Sequence, residues 1–311
     1  MAQNELTLRP ITGPEELPLF CRLPYALNDE LADDLAAGRR RPEWMWVALR
    51  GDRLVARVAW WGLAGAPSLL DVFDLDDSAS DRIDVAVRLV RAAMARVVPA
   101  GTRPPEYYRL VPPDWRADGQ HVADRMAVLG RTGACLLVER LRFEWRPGTP
   151  PHTSSGRLLF RPPHDTDEIL TLMTLVLDGT LDTHSRDDLT RMSPREAAVR
   201  HFDDELAHYR SPRDWWRVAT LPGGAPVGFV TPARNDYHPI IGYLAVLPAH
   251  RGNGYIDEIL AEGTRVLGAQ GVPRIRAATD LGNTPMANAF RRAGYVNFER
   301  TINMTWDPVD S

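Results

Sequence analysis

The two halves of this sequence begin and end with similar short patterns. The segment 6–10 reads Leu-Thr-Leu-Arg-Pro, and the segment 158–162 reads Leu-Leu-Phe-Arg-Pro. Each half also closes with a Glu-Arg pair followed by Trp and then Pro, at 139–147 and at 299–308. Repetition on this scale predicts an internal duplication in which both copies fold alike. The alternative is two unrelated α/β domains whose short patterns agree by chance.

The length of the chain supports a division into two domains. Its 311 residues exceed the usual size of a single domain. The segment 147–156, Pro-Gly-Thr-Pro-Pro-His-Thr-Ser-Ser-Gly, lacks apolar periodicity and is typical of a linker. We therefore predict one domain at residues 1–150 and a second at residues 151–311.

Composition and charge argue against several classes of protein. A net charge of -4 gives no broad basic footprint for nucleic acid. Two cysteines, Cys21 and Cys135, cannot form a disulfide framework. No apolar run approaches the ~20 residues that span a bilayer, and the first residues lack a signal-peptide pattern. We expect a cytoplasmic protein without nucleic-acid or membrane partners.

The second half alternates strands and helices in an order that predicts a mixed α/β sheet. Residues 240–247, Ile-Ile-Gly-Tyr-Leu-Ala-Val-Leu, are almost wholly apolar and indicate a strand buried on both faces. A helix is predicted at 254–270, and another at 285–293 follows a strand at 274–279. The remaining predictions are strands at 157–161, 214–221, 226–232 and 296–305, and a helical region at 165–210.

A glycine-containing loop, from Val246 to Ile256, joins the buried strand to the first of these helices. Backbone N–H groups at a helix N-terminus form an anion site, which the helix dipole strengthens. Gly252 and Gly254 lack Cβ atoms, so a phosphate can approach the backbone closely, and Arg251 adds positive charge. Arg-Gly-x-Gly alone is a weak signal, but the strand before it and the helix after it favour phosphate binding.

This loop resembles the GNAT superfamily of N-acetyltransferases, in which Arg/Gln-x-x-Gly-x-Gly/Ala follows the fourth strand and holds the pyrophosphate of acetyl-CoA. Residues 251–256 occupy that motif, with Ile256 in place of the last Gly or Ala. The stretch 283–295 resembles the family's fourth helix: Asn283 matches an Asn that contacts the pantetheine arm, and Gly294-Tyr295 matches the closing pair. The resemblance implies two tandem GNAT-like α/β (mixed α+β) domains, each a mixed, mostly antiparallel sheet flanked by helices.

The resemblance also implies which residues hold acetyl-CoA, and that the backbone N–H of Val246 meets the thioester oxygen. The implied cofactor-binding residues are Leu244, Ala245, Val246, Arg251, Gly252, Asn253, Gly254, Tyr255, Ile256, Asn283 and Phe290. Many family members have a Tyr where this chain has Phe290, and a phenyl ring cannot protonate the leaving thiolate. A thiol pKa of ~8.5 makes the thiolate a tolerable leaving group without that acid. Tyr255 or Tyr295 could also serve, although packing is the more ordinary role of both.

The base that deprotonates the amine is predicted on the acceptor side of the sheet. Asp178, Asp182 and His184 form a polar stretch there, from which we take Asp178 and His184 as catalytic candidates. A solvated loop without a catalytic role is the more common origin of such a stretch. No metal site is expected, because the histidines that follow have no cysteine beside them.

The corresponding loop of the first half, 71–81, has no glycine and five aspartates. Its backbone could not approach a phosphate closely, and its carboxylates would repel one. Two unit charges about 5 Å apart repel by about 3 kcal/mol at an effective dielectric of ~20. We therefore predict a degenerate copy that keeps the fold, has lost the cofactor and serves a structural role.

Together these features predict an acetyl-CoA-dependent N-acetyltransferase that acts on a primary amine of a small molecule, as a monomer or homodimer. Two other functions stay open. A non-catalytic acyl-CoA sensor or scaffold is favoured by Phe290. An acyltransferase that uses a carrier-protein or aminoacyl donor is disfavoured by the glycine loop.

Overall fold

The computed structural model describes residues 5–63, 65–149 and 156–306. The chain forms two compact units: Met1–Glu139 with Thr301–Ser311 is unit 1, and Arg140–Arg300 is unit 2. The predicted boundary at 150/151 differs from this division, because both cuts fall within strands and not within the linker. Residues 150–155 of the predicted linker lie outside the described residues.

Strands and helices follow in nearly the same order in the two halves of the chain. The first half contains β1 (Leu6–Pro10), α1 (Leu17–Phe20), α2 (Leu31–Ala36), β2 (Met45–Arg50), β3 (Arg53–Trp61), β4 (Leu69–Leu75), α3 (Arg82–Val97), β5 (Glu106–Val111), α4 (Gln120–Gly130) and β6 (Ala134–Trp145). The second contains β7 (Leu159–Arg161), α5 (Thr166–Val176), α6 (Thr183–Leu189), α7 (Pro194–Asp204), β8 (Arg217–Thr220), β9 (Pro226–Arg234), β10 (Pro239–Val246), α8 (Tyr255–Gly268), β11 (Ile275–Asp280), α9 (Thr284–Arg292) and β12 (Val296–Trp306). The strands and helices predicted in the second half agree with these bounds to within a few residues. Across the described ranges, no helix combines the length and the apolar character needed to cross a membrane.

Unit 1 is a mixed, mostly antiparallel sheet with helices on both faces. Its strand order is β1-β2-β3-β4-β5, continued by the last part of β12 and the first part of β6. β4 and β5 pair in parallel, whereas β1/β2, β2/β3 and β3/β4 are antiparallel. The larger core lies under α3 and α4 and includes Trp60 and Phe73, and a second core lies under α1 and α2.

Unit 2 has the same architecture. Its strand order is β7-β8-β9-β10-β11, followed by the last part of β6. β10 and β11 are parallel, whereas the neighbouring pairs are antiparallel. One core contains Ile259 and Leu267 of α8, and the other contains Leu172 of α5 and Phe202 of α7. Both faces of β10 therefore pack against cores, as its almost wholly apolar sequence predicted.

The opening strand of each unit carries the same ion pair. Arg9 lies 2.6 Å from Glu16, and Arg161 lies 2.5 Å from Glu168, seven residues on in both cases. In both units the arginine also donates to the carbonyl of the proline that follows it. A shared side-chain arrangement at the same spacing extends the resemblance of the halves beyond the Arg-Pro pattern, as a duplication predicts.

Side-chain caps fix where the helices of unit 2 begin. Asp165 caps α5, Asp182 caps α6, and Ser193 forms a capping box with Glu196 at the start of α7. α8 differs, because its N-cap is Gly254 in the left-handed region and has no side-chain cap. Its first N–H groups therefore lack the side-chain acceptor that the other helices have.

Candidate functional site

A bulge in the fourth strand of unit 2 opens the sheet. The pairing of β9 with β10 shifts between Ile241 and Tyr243, so Gly242 is the extra residue. The Tyr209 ring packs there, since a Cβ at Gly242 would lie 2.6 Å from its hydroxyl oxygen. Beyond the single parallel pair of Ile240 with Arg276, β10 and β11 are no longer paired. The bulge thus creates a gap between two strands.

The predicted pantetheine-binding segment lines this gap. Leu244, Ala245 and Val246 follow the bulge on β10 and are partly exposed, although both faces of the strand pack against cores. The carbonyl of Val246 accepts a bond from Arg251, and the N–H of Leu247 donates to Val227 at 2.8 Å. The oxyanion role of the Val246 N–H stays a prediction.

The glycine loop leaves open space in front of α8. Gly252 has φ 81° and Gly254 has φ 72°, the left-handed region that favours glycine. A Cβ at Gly252 would meet nothing within 4 Å, and a Cβ at Gly254 would meet only Arg157, at 3.8 Å. A helix N-terminus whose backbone a ligand can approach this closely is suited to bind a pyrophosphate. Tyr255 and Ile256 form the first turn of α8 and pack against its core.

The Arg251 side chain makes several hydrogen bonds within the protein, and its predicted contact with the cofactor stays a prediction. Its guanidinium donates to the carbonyls of Val176 at 2.8 Å and Asp178 at 2.6 Å, and its Nε donates to Val246 at 3.2 Å. These bonds join the loop to the C-terminal end of α5, where backbone carbonyls lack helical partners. The Arg251 side chain therefore orders the loop, and its donors are directed at carbonyls and not at the open space.

Arg157 lies beside the loop, and the sequence did not indicate it. Its guanidinium donates to the Asn253 carbonyl at 2.9 Å and to Glu258 at 2.8 Å, and lies 4.7 Å from the centre of the Tyr255 ring. Asn253 in turn donates its side-chain amide to the carbonyl of His250. Nearly a hundred residues separate Arg157 from the loop, so no local pattern connects them.

The two predicted site residues of the α9 segment have different surroundings. Asn283 caps the helix by accepting from the N–H of Met286 at 3.3 Å, and it is half-buried. Phe290 is only 1% exposed and stacks on Phe143, with 5.1 Å between ring centres. Its ring is enclosed in the core under α8 and α9, and the contact of Phe290 with the cofactor stays a prediction.

Of the two tyrosines considered as an acid, Tyr295 is buried in the core, and the role of Tyr255 stays a prediction. The Tyr295 hydroxyl is buried and hydrogen-bonded to Thr264 at 2.7 Å, and burial raises its pKa far above the ordinary value. The Tyr255 ring lies under the Arg157 guanidinium, as described above. The surroundings of both tyrosines therefore fit a role in packing, which is the more ordinary role of the two considered.

An acceptor cluster lies at the end of β11. One ligating atom each from Asp182, His184 and Asp280 lies within 4.8 Å of the other two. Arg140 pairs with Asp280 at 3.1 Å, and the N–H of Thr183 donates to Asp280 at 2.6 Å. The arrangement supplies two carboxylates and an imidazole, a set able to hold an ammonium group and to accept a proton from it.

Burial by itself would raise the pKa of Asp182, but its surroundings reverse that effect. Arg140, the N–H of Ser185 and His184 together lower the pKa below the ordinary value. Asp182 is therefore a carboxylate at neutral pH. It can attract a cation, and the cluster also contains the imidazole of His184.

Asp178 is not a member of this cluster. It is exposed at the end of α5 and lines an open groove of about 710 Å³ together with Leu247 and Pro248. Its catalytic role stays a prediction, as does that of His184. Sequence reasoning missed Asp280 and Arg140, which face each other across the pairing of β11 with β6. Such a cross-strand pair leaves no pattern in the sequence.

Unit 1 contains the same gap with different contents. Asp71 is the extra residue of β4, and pairing with β5 ends after Leu70 and Tyr107. Asp71 and Asp74 were predicted to repel phosphate from a loop, but both lie in the strand. Asp71 pairs with Arg40 at 2.5 Å.

Three buried arginines converge on Asp74. Arg57, Arg109 and Arg125 approach its carboxylate to 2.7, 2.7 and 3.3 Å. Arg109 and Arg125 also donate to the carbonyl of Phe73, each at 3.1 Å. Two of the five aspartates therefore belong to a gap that side chains fill and whose backbone carbonyl they occupy, and repulsion of a phosphate by the other three stays a prediction.

Comparisons with known proteins agree with this geometry. Residues 157–296 match the family model described as an acetyltransferase (GNAT) domain. No curated relative matches the chain. Among solved structures, a GCN5-related N-acetyltransferase from Sphaerobacter thermophilus superposes with a TM-score of 0.61 at 15% identity, over 98% of each chain.

Two further structures are also similar to this chain. A tandem GNAT protein from the clavulanic acid biosynthesis pathway has a TM-score of 0.52 and 14% identity, over 99% of this chain and 100% of its own. The glucosamine N-acetyltransferase region of a fungal multi-domain β-N-acetylglucosaminidase gives 0.56 and 12%, over 98% of this chain and 38% of its own. The chain therefore has the fold of tandem GNAT proteins over nearly its whole length, and residues 157–296 match the GNAT acetyltransferase domain.

Proposed function

We propose that unit 2 transfers an acetyl group from acetyl-CoA to a primary amine of a small-molecule acceptor. The observation that carries the proposal is the meeting of two features on one strand: the gap beside β10 and the open glycine loop that follows it. Acetyl-CoA would supply the activated acyl group as a thioester. The residues of the chain would position it and prepare the amine.

Each feature has a separate task in this proposal. The N-terminus of α8, with Gly252 and Gly254, would hold the pyrophosphate, and Arg157 would add positive charge. The backbone of residues 244–246 would pair with the pantetheine arm, with Asn283 on its other side. The N–H of Val246 would stabilise the developing oxyanion.

The acceptor cluster would hold and deprotonate the amine. Asp182 and Asp280 attract the ammonium form, and His184 takes its proton, so that the neutral amine can attack the thioester carbonyl. Fixing both reactants beside each other contributes up to about 7–11 kcal/mol to lowering the barrier. The amine nitrogen forms a bond to the acetyl carbon, the C–S bond breaks, and the amide nitrogen gives up its remaining extra proton to solvent. The CoA thiolate would leave without a tyrosine acid, because the family's position is a buried Phe290.

The proposal is tested by thiol release from acetyl-CoA with purified protein and a panel of primary amines. We expect amine-dependent release, and calorimetry should give close to one acetyl-CoA per chain. His184→Gln should slow release by about 10²-fold or more while acetyl-CoA affinity is kept. Tight binding with no thiol release from any amine would favour the sensor or scaffold function instead. Two equivalent sites per chain would contradict the filled gap of unit 1.

A further inference from the structure

An arginine-rich part of the unit 2 sheet lies on and beside β6 and β11, the strands that contain Arg140 and Asp280. We call it the arginine face; its members are Arg142, Glu144, Arg146, Arg274, Arg276, Phe298 and Glu299. In the pairing of β6 with β11, Arg140 is opposite Asp280, and Arg142 is opposite Ala278. Ala278 is exposed and lies on the part of β11 beyond its last pairing with β10. This part of β11 is therefore accessible two residues from the cluster.

Two guanidiniums lie against one aromatic ring on this face. The Phe298 ring centre is 5.3 Å from the guanidinium carbon of Arg142 and 4.7 Å from that of Arg276. Their side chains are 18% and 19% exposed. Stacking on an aromatic ring orders an arginine and leaves the edge of its guanidinium for a planar anion such as a carboxylate.

The positive charges of the arginine face outnumber its negative charges. Arg142 pairs with Glu299, and Arg146, Arg274 and Arg276 all pair with Glu144. Four guanidiniums thus share two carboxylates. Burial and the nearby charge of Arg142 lower the pKa of Arg276, so its charged form is held among like charges. A further anion on this face would offset that repulsion.

We infer that the arginine face binds a carboxylate or phosphate group of the acceptor, while the amine of the same molecule lies at the acceptor cluster. This inference rests on the proposed acetyl transfer. Along a strand, Ala278 is about 7 Å and Arg276 about 13 Å from Asp280. An acceptor that reaches both would carry its anion about 7–13 Å from its amine. That spacing exceeds the separation of the two groups in an α-amino acid and is reached by an ω-amino acid.

The test uses the full chain and amines that differ by one anionic group. Aminocaproate is compared with hexylamine, and aminopentyl phosphate with aminopentanol, by thiol release from acetyl-CoA. We expect kcat/KM to be at least about tenfold higher for the anionic member of a pair, chiefly through a lower KM. The pair with the larger difference identifies the source of the anion as carboxylate or phosphate.

Substitutions in the arginine face test whether this face causes the preference for anionic acceptors. Arg142→Gln and Arg276→Gln should each remove most of the anion preference and leave hexylamine turnover nearly unchanged. Arg142→Lys keeps the charge without the planar stack and should restore only part of the preference. Arg195→Gln, which alters an exposed ion pair on α7, is the matched control and should change nothing.

The outcomes separate this inference from the proposed function. Equal kcat/KM within both pairs, unaffected by Arg142→Gln, would overturn the inference and leave acetyl transfer intact. If no amine supports thiol release, the proposed function fails, and calorimetry with N-acetylaminocaproate and N-hexylacetamide then decides the anion site. Tighter binding of the anionic amide, lost in Arg142→Gln, would support the site; equal binding or none would overturn it.

Discussion

The gap between β4 and β5 in unit 1 and the gap between β10 and β11 in unit 2 share a backbone geometry and differ in content. Each fourth strand has one extra residue, Asp71 or Gly242, and each parallel pairing ends near its start. Three residues beyond the bulge, unit 1 has Asp74 and unit 2 has Ala245. A carboxylate at that position gathers three arginines into the gap, whereas an alanine leaves it open.

This difference shows how a duplicated fold can change its ligand chemistry without changing its topology. Buried charges are tolerated only when they are paired, so Asp74 and its arginines depend on each other. Two of these arginines donate hydrogen bonds to the backbone carbonyl of Phe73, so this carbonyl is unavailable to a ligand. In unit 2, the glycine loop and the apolar strand keep the equivalent backbone accessible.

The largest effect is expected from breaking the cluster of unit 1. Asp74→Ala leaves three buried guanidiniums without their shared carboxylate and should lower the free energy of unfolding by about 3–5 kcal/mol. The measurement is chemical denaturation followed by circular dichroism. Asp76→Ala is the control, because its partner Arg53 is 54% exposed, and it should cost at most about 1 kcal/mol. Equal losses in both variants would show that the arginines are neutralised elsewhere.

A smaller effect is expected from closing the glycine loop of unit 2. Gly254→Asp places a side chain and a negative charge where the pyrophosphate is proposed, and should weaken acetyl-CoA binding by about 1–3 kcal/mol. Calorimetry measures the change. Gly271→Asp is a matched control, since Gly271 also has a positive φ and open space around its Cβ position but follows the other end of α8. Unchanged affinity in a folded Gly254→Asp protein would place the pyrophosphate elsewhere.

The two units should also differ in their response to acid. Burial and the charges of Arg276, Arg142 and Arg274 lower the pKa of His238 from 6.5 to about 4, against a smaller opposing effect of Glu144. The neutral ring accepts from Arg276 at 2.7 Å. Because the folded pKa is lowered, the stabilisation is complete above pH 6.5 and is lost as the pH falls through about 4.

Thermal unfolding between these pH values tests this effect. His238→Gln should lose less stability on acidification than the unaltered protein, by about 1 kcal/mol after allowance for the partial exposure of the ring. His208→Gln, at an exposed position, should follow the unaltered protein. In unit 1, three arginines outweigh the burial of Asp74 and lower its pKa, so its contribution is lost only as the pH falls below about 3.8. Identical pH profiles for all three proteins would contradict the assignment to His238.

The smallest effect is expected at Phe290. Phe290→Tyr adds a hydroxyl within the core beside Phe143, so turnover should change by less than about tenfold, or about 1.4 kcal/mol in barrier. Thermal stability should fall slightly if the hydroxyl finds no partner. Thiol release at saturating acetyl-CoA, measured beside the melting temperature, provides the test. A much larger rise in turnover with unchanged stability would show that the enzyme does need an acid at this position.

The features that could be predicted from sequence are contiguous in the chain. The apolar strand at 239–246, the glycine loop and helix α8 follow one another, so each supports the interpretation of the next. Asn283 likewise lies directly before α9, the helix that it caps. The fold class was also predicted correctly, whereas the loss of the cofactor from the first half stays a prediction. Two of the acidic residues of 71–81, Asp71 and Asp74, lie in β4 and not in the loop.

Only the tertiary structure decided which distant residues meet. Arg140, Asp182 and Asp280 come from three separate segments and are brought together by the pairing of β6 with β11 and by the start of α6. Arg157 reaches the loop from before β7, and Phe290 turns into the core instead of the gap. Local periodicity in the sequence indicates where strands and helices form and where a helix begins. Partners across strands, and the direction in which a side chain is buried, depend on packing between segments that the sequence does not place side by side.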